Sequence, residues 1–233
     1  IVRAAGPSFH WSGRYHEDLI ERDTLATDLG VFASFEPEVP ESWRDSEYLF
    51  LANIQPVLQG RVLAAMRTPR LVVLDTMNLW IETTRRELLE VLGRVDVLLV
   101  NDSEARLLTG ERSLARAATA IQELGPARVV IKKGEHGALL FGRTSRLSVP
   151  GLLLPDVVDP TGAGDCFAGG FVAHLAAAGA DRDSEDAVFR QAMLAGTVAA
   201  SFCPEGFSVE GLLQRTEASV AAREAALREL MTP

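Results

Sequence analysis

Between residues 48 and 132 short apolar runs alternate with segments of helical periodicity, and no other feature narrows the fold of this chain as much. The runs at 48–52, 71–75, 95–100 and 129–132 are almost wholly apolar. Helical patterns lie between them at 57–66 and 85–92, and a third runs from a Ser113 cap to about residue 124, where Gly125-Pro126 stops it. Strand and helix in alternation mean βαβ units and a parallel sheet. Strands without a polar face belong to a sheet whose two sides are both covered. The predicted class is therefore α/β, with a mostly parallel central sheet sandwiched by helices.

The flanks have a different texture. Residues 9–15 alternate large apolar and polar groups, the period of a half-buried strand, and 27–35 offers a second strand ended by Pro37 and Pro40. These predict a small β element over 1–40, ahead of an α/β core over 41–233. Later, 138–141 and 147–149 read as a hairpin, 157–158 as a short strand, and about 164–178, 185–200, 209–213 and 217–230 as helices.

Composition removes several classes of function. A chain of 233 residues that is 47% apolar can bury a core without cross-links. Cys166 and Cys203 form no Cys-x-x-Cys pattern, so structural zinc and a disulfide framework drop out, leaving two reduced core thiols. With 23 Lys plus Arg against 32 Asp plus Glu and no basic run, the electrostatic footprint of a nucleic-acid binder is missing. No apolar run approaches the roughly 18 residues of a membrane span, so a cytoplasmic protein without membrane partners is expected. Residue 1 is Ile, and the opening Ile1-Val2-Arg3-Ala4-Ala5-Gly6-Pro7 reads as the continuation of something longer.

Three loops carry the candidate chemistry, each at the carboxyl end of a predicted strand, where open α/β sheets bind ligands. The richest is Asp159-Pro160-Thr161-Gly162-Ala163-Gly164-Asp165-Cys166-Phe167. A strand entering a small-residue turn and leaving as a helix gathers unpaired N–H groups and the positive end of the helix dipole at one spot, which suits an anion. Asp165 places a carboxylate beside that anion site, where a general base could take the proton of a hydroxyl attacking a bound phosphoryl group. The plain alternative is a turn and a helix start with a favourable first-turn acid. Asn101-Asp102-Ser103-Glu104 offers oxygen ligands for a well-hydrated Mg²⁺, or simply an N-cap with Glu104 in the first turn. Lys132-Lys133-Gly134-Glu135-His136-Gly137 could meet polyphosphate, or be an exposed hairpin turn. There is no Gly-x-x-x-x-Gly-Lys-Ser/Thr loop. The turn partly imitates a dinucleotide fingerprint, but residues 176–186 hold no strand to end at the acidic position that fingerprint requires.

In this order Asn-x-x-Glu, Lys-Lys-Gly-x-x-Gly and Asp-x-Thr-Gly-Ala-Gly-Asp-x-Phe resemble the ribokinase-type carbohydrate kinases, the PfkB family, from about Phe9 onward. The resemblance implies a ribokinase-like sheet with a small β lid, and an ATP-dependent kinase acting on a hydroxyl of a sugar, sugar phosphate or nucleoside. It further implies Asp165 as the base and the amides of Gly162, Ala163 and Gly164 as the anion hole. Asn101 and Glu104 would serve Mg²⁺ and phosphate, Glu104 through water. Lys132, Gly134 and Gly137 would border the nucleotide, and Asp159 and Thr161 a monovalent cation such as K⁺. Phe9, Trp11 and, by a looser match, Asn78 would face the substrate, and a homodimer would form through the lid. The chain departs from the family in lacking its N-terminal strands, its Gly-Gly motif and the acidic and amide groups that grip the sugar. Two other readings follow from that gap and from the turn: a non-catalytic nucleotide-binding remnant or interaction module, and a dinucleotide-dependent oxidoreductase.

Overall fold

The apolar runs become the strands of one sheet. A computed structural model describes residues 3–17 and 22–232. The chain divides into two units, Ile1–Glu38 and Val39–Pro233, each with its own internal packing.

In the small unit β1 (His10–Tyr15) pairs antiparallel with β2 (Arg22–Asp28), with a register irregularity between Ser12 and Gly13. The Trp11 ring lies over Gly13, where a Cβ would come within 2.4 Å of it, and the indole N–H donates to Thr24 Oγ1 at 3.4 Å. The strand expected over 27–35 stops at Asp28, and Gly30–Ser34 turns into a 3-10 helix. Gly30 makes the change, since its φ of +51° lets Val31 N–H reach Pro7 O at 2.9 Å. Phe32 then stacks on Phe35 and meets Phe9 edge-on.

In the large unit the chain runs β3 (Tyr48–Leu51), α1 (Pro56–Ala65), β4 (Leu71–Asp75), α2 (Asn78–Thr83), α3 (Arg85–Leu92), β5 (Val97–Asn101), α4 (Asp102–Thr109), α5 (Leu114–Glu123) and β6 (Arg128–Lys132). It continues with β7 (Ala138–Phe141), β8 (Arg146–Val149), α6 (Ala163–Ala177), α7 (Asp186–Phe202), α8 (Glu210–Leu213) and α9 (Glu217–Glu229). The sheet order is β3-β4-β5-β6-β7-β8, parallel through β6 and antiparallel over the last two pairs. Helix α2 fills a stretch to which the sequence pattern assigns no element. Val157 and Val158 form no strand: Val158 N–H donates to Pro204 O at 2.7 Å, so the chain entering the glycine turn is anchored to the segment after α7.

Alternation divides the strand side chains between two cores. Leu74, Leu98, Val100, Val129 and Ile131 pack with the apolar stripes of α3, α4 and α5. Val73, Val97, Leu99 and Val130 pack on the other side against Phe167, Phe171, Phe189 and Met193 of α6 and α7. Those two helices touch almost backbone to backbone. A Cβ on Gly170 would stand 2.7 Å from Ala199 Cβ, and one on Gly196 would stand 2.7 Å from Phe167 O.

One buried ion pair ties this layer to the sheet. Arg128, only 1% exposed, donates from Nε to Asp186 Oδ1 at 2.9 Å, from Nη1 to Arg182 O at 2.9 Å and from Nη2 to Ser184 O, with its guanidinium over the Phe189 ring. Asp186 Oδ2 accepts from the amides of Thr144 and Ser145 at 3.0 and 3.1 Å and from both their hydroxyls. Burial pushes this carboxyl upward, but the Thr144 amide, the Arg128 guanidinium and the Ser145 hydroxyl outweigh it and hold the group down at about 2.

Because the folded value lies below the unfolded one, the Asp186 contribution is complete above pH ~4 and is lost as pH falls toward ~2, about 2 kcal/mol in all. Denaturant unfolding at stepped pH should show this loss in the parent, whereas Asp186→Asn should be less stable by about 3 kcal/mol at neutral pH and flatter across the acid window. Gly196→Ala, which in an open helix would stabilise, should here lower stability by roughly 1–3 kcal/mol, read as a fall in melting temperature.

Candidate active site

Strand alternation also decides what lies at the carboxyl ends. On the face covered by α6, Leu71 and Val73 lead to Asp75, Val97 and Leu99 to Asn101, and Val130 to Lys132. One carboxylate, one amide and one amine thus end three adjacent strands on the side where α6 begins.

The start of α6 is set by Gly162, whose φ of +88° is left-handed backbone that favours glycine. Thr161 N–H donates to Asp159 Oδ1 at 2.9 Å, Ala163 N–H to Pro160 O at 3.2 Å and Cys166 N–H to Gly162 O at 2.9 Å, which closes the turn. The Ala163 amide is thereby engaged inside the turn. The other first-turn amides have no acceptor within the helix and sit at its positive end. Asp165, in that first turn, is exposed.

Lys132 reaches this turn from β6. Its Nζ donates to Asp75 Oδ2 at 2.9 Å across the intervening β5, and a Cβ on Gly164 would stand 3.3 Å from the same nitrogen. Only 17% of the Lys132 side chain is exposed. Burial alone would lower its pKa, but the carboxylates of Asp75, Glu104 and Asp165 outweigh burial and raise it, so the ammonium stays charged. The structure therefore brings Lys132 to the glycine turn that carries Asp165, within the field of Glu104. It adds Asp75, which the sequence reading passed over; its signal was its place two residues beyond Val73 on a strand facing α6.

Asn101 and Glu104 form a complete capping box: Glu104 N–H donates to Asn101 Oδ1 and Asn101 N–H to Glu104 Oε2, both at 2.8 Å. The helix-start reading of these residues is thus realised. Glu104, only 6% exposed, also contributes charge toward Lys132. After β6 the chain makes a 3-10 turn, Gly134–His136, with Gly134 at φ +56° and Gly137 at +81°. A Cβ on Gly137 would strike Val149 O at 2.1 Å, whereas none would meet anything within 4 Å at Gly134. Gly137 answers to packing, and Gly134 leaves an open flank.

The two thiols adjoin the turn. Cys203 Sγ donates to Thr161 O at 3.1 Å, and burial, then Cys166, then the carboxylates of Asp159 and Asp165 push this thiol up to about 12. It therefore remains a donor at neutral pH and braces the turn from behind. Asn78 is the exposed first residue of α2, and Phe9 and Trp11 belong to the small unit.

A polyphosphate fits this donor set: a backbone strip without side chains at Gly162 and Gly164, a helix N-terminus and a charged ammonium. Among the described residues no group of three or more His, Cys, Asp or Glu could enclose a metal. Carboxylates such as Glu104 and Asp165 fit a divalent cation that keeps its own waters. No described helix is long and apolar enough to cross a membrane. Residues 178–185 lead directly into α7 without a strand, so α6 is not the helix of a dinucleotide-binding βαβ unit.

Known proteins are similar to this chain in sequence and fold. The family model for pfkB family carbohydrate kinases matches residues 59–203. A cytidine kinase from Thermococcus kodakarensis is 33% identical over 174 residues, which are 72% of this chain and 61% of that protein, so the chain spans less than two thirds of this relative. A probable sugar kinase from Rhizobium etli superposes with a TM-score of 0.75 at 23% identity over 97% of this chain and 68% of its own. Fructokinase from Vibrio cholerae, solved with fructose, ADP and a calcium ion, gives 0.73 at 21% over 93% and 74%. The strand order, the glycine turn with the lysine beside it and the family match over the heart of the chain lead to one conclusion: the chain belongs to the pfkB family of carbohydrate kinases.

Proposed function

We propose that this chain carries the phosphoryl-transfer centre of an ATP-dependent kinase whose acceptor is a hydroxyl of a sugar, sugar phosphate or nucleoside. The observation that carries the reading is the convergence of the Lys132 ammonium and the Asp165 carboxylate on the glycine turn at the start of α6. Family membership and the cytidine kinase relative support the same class of acceptor.

Asp165 takes the proton of the acceptor hydroxyl as its oxygen bonds to the terminal phosphorus and the bond to the leaving diphosphate breaks. The amides of Gly162 and Gly164 face the phosphoryl oxygens as charge moves onto them, while the Ala163 amide, bound to Pro160 O, closes the turn. Lys132 lends a fixed positive charge, and Gly134, with its open flank, borders the nucleotide beside Gly137. A bound Mg²⁺ would neutralise phosphate charge; Glu104, set by its bond to Asn101, and Asp165 are the carboxylates that would hold it through water. Asp159 and Thr161 are the proposed neighbours of a K⁺ ion. Asn78 is a proposed acceptor contact of the large unit.

ADP release with Mg·ATP against pentoses, hexoses, their phosphates and nucleosides tests the reading. Acceptor-dependent release should fall at least ~10²-fold in Asp165→Asn with ATP affinity little changed; turnover within a few-fold of the parent removes Asp165 from the role. Asn101→Ala should lower thermal stability by about 1 kcal/mol through loss of the cap, whereas Asn101→Asp should retain it.

A further inference from the structure

Both oxygens of Asp75 are committed. The residue is 3% exposed; Oδ1 accepts the Thr76 amide at 2.8 Å, Oδ2 accepts the Lys132 ammonium at 2.9 Å, and its carbonyl accepts from Gln59 Nε2 at 3.0 Å. A carboxylate held this way at a strand end cannot swing aside, and neither can the ammonium it grips. That ammonium ends where Gly164 has no side chain, at the 3.3 Å a Cβ would leave.

The composition of the chain sharpens the point. Of its 23 Lys plus Arg residues, the only lysines are Lys132 and Lys133; every other cation is arginine. A chain that otherwise uses guanidinium places a compact ammonium beside the turn, 3.3 Å from where a Cβ on Gly164 would stand. The ammonium has three donors and no acceptor, so with one committed to Asp75 the rest remain for groups at the turn.

We propose that Asp75 is a positioning residue for phosphoryl transfer: it keeps Lys132 charged and aimed at the glycine turn, so that this ammonium meets the anion bound there. The inference rests on the kinase reading above. Asp75 touches no reacting atom; it acts through Lys132.

The scarcity of lysine supplies the test. In the full chain labelled with ¹⁵N only in lysine, two side-chain signals report, Lys133 serving as the internal control. In the parent the Lys132 ammonium should titrate above the ordinary lysine value of 10.5. In Asp75→Asn, which keeps the Oδ1 acceptor for Thr76, it should titrate below that value while Lys133 stays put. ADP affinity, measured by calorimetry, should fall roughly ten- to a hundredfold at neutral pH, as for loss of a charge-assisted hydrogen bond. The alkaline limb of its pH profile should move to lower pH, because binding requires the charged form. Asp75→Glu should restore part of the limb.

An unmoved Lys132 titration, or an affinity loss equal at every pH, overturns the proposal. If Asp75→Asn does not fold, the double variant Asp75→Asn/Lys132→Met decides. Its recovery of the fold supports the pair, because it removes the orphaned charge, and equal failure of both rejects it. If the kinase reading is the one at fault, the parent itself neither binds ADP nor releases it from Mg·ATP, while the lysine titrations still report the pair.

Discussion

Strand β6 carries a cation at each end of one face, Arg128 at its start and Lys132 at its finish, and each is gripped by a carboxylate from another element. At the start, Asp186 of α7 binds Arg128 and the turn between β7 and β8 together, so that the helix layer is fastened to the sheet. At the finish, Asp75 of β4 holds Lys132 against the turn that begins α6. Between the two lies only Val130 on that face, within the apolar core. Charges this far from water are stabilised only by partners with good geometry, and the loss of one partner strands the other. The position of the candidate active site is therefore coupled to the integrity of the sheet on which it stands.

The two pairs have different chemical consequences. Arg128 is enclosed by a carboxylate, two carbonyls and a phenyl ring and, at 1% exposed, faces no solvent from which a ligand could reach it. Lys132 is held by one strong partner and lies within the field of two more carboxylates, Glu104 and Asp165, at the mouth of a turn whose backbone favours anions. An amine, the first-turn amides of a helix and a carboxylate thus lie side by side at this turn.

Much of this arrangement was legible in the sequence. Apolar runs at 71–75 and 129–132 were unmistakable as buried parallel strands, and Gly162-Ala163-Gly164-Asp165 marked its own turn because small residues there have few other uses. The strand predicted over 27–35 failed at Gly30, where local backbone freedom and the reach of Val31 to Pro7 override β-branched composition. The strand predicted at 157–158 failed because its hydrogen bonds go to Pro204, a partner some 45 residues away that no local pattern announces. Asp75 was hidden for a related reason: a carboxylate at the end of an apolar run looks like a strand terminator until the face it shares with Lys132 is known.

The near-contact of α6 with α7 at Gly170 and Gly196 bears on how steadily that turn is held. Most helices rest on a layer of side chains whose rotamers give each pair some slack. Here main chain lies on main chain at the crossing, and there is no such cushion to compress. Side-chain repacking elsewhere in the core has little leverage over where α6 begins, and the two helices can be displaced only together.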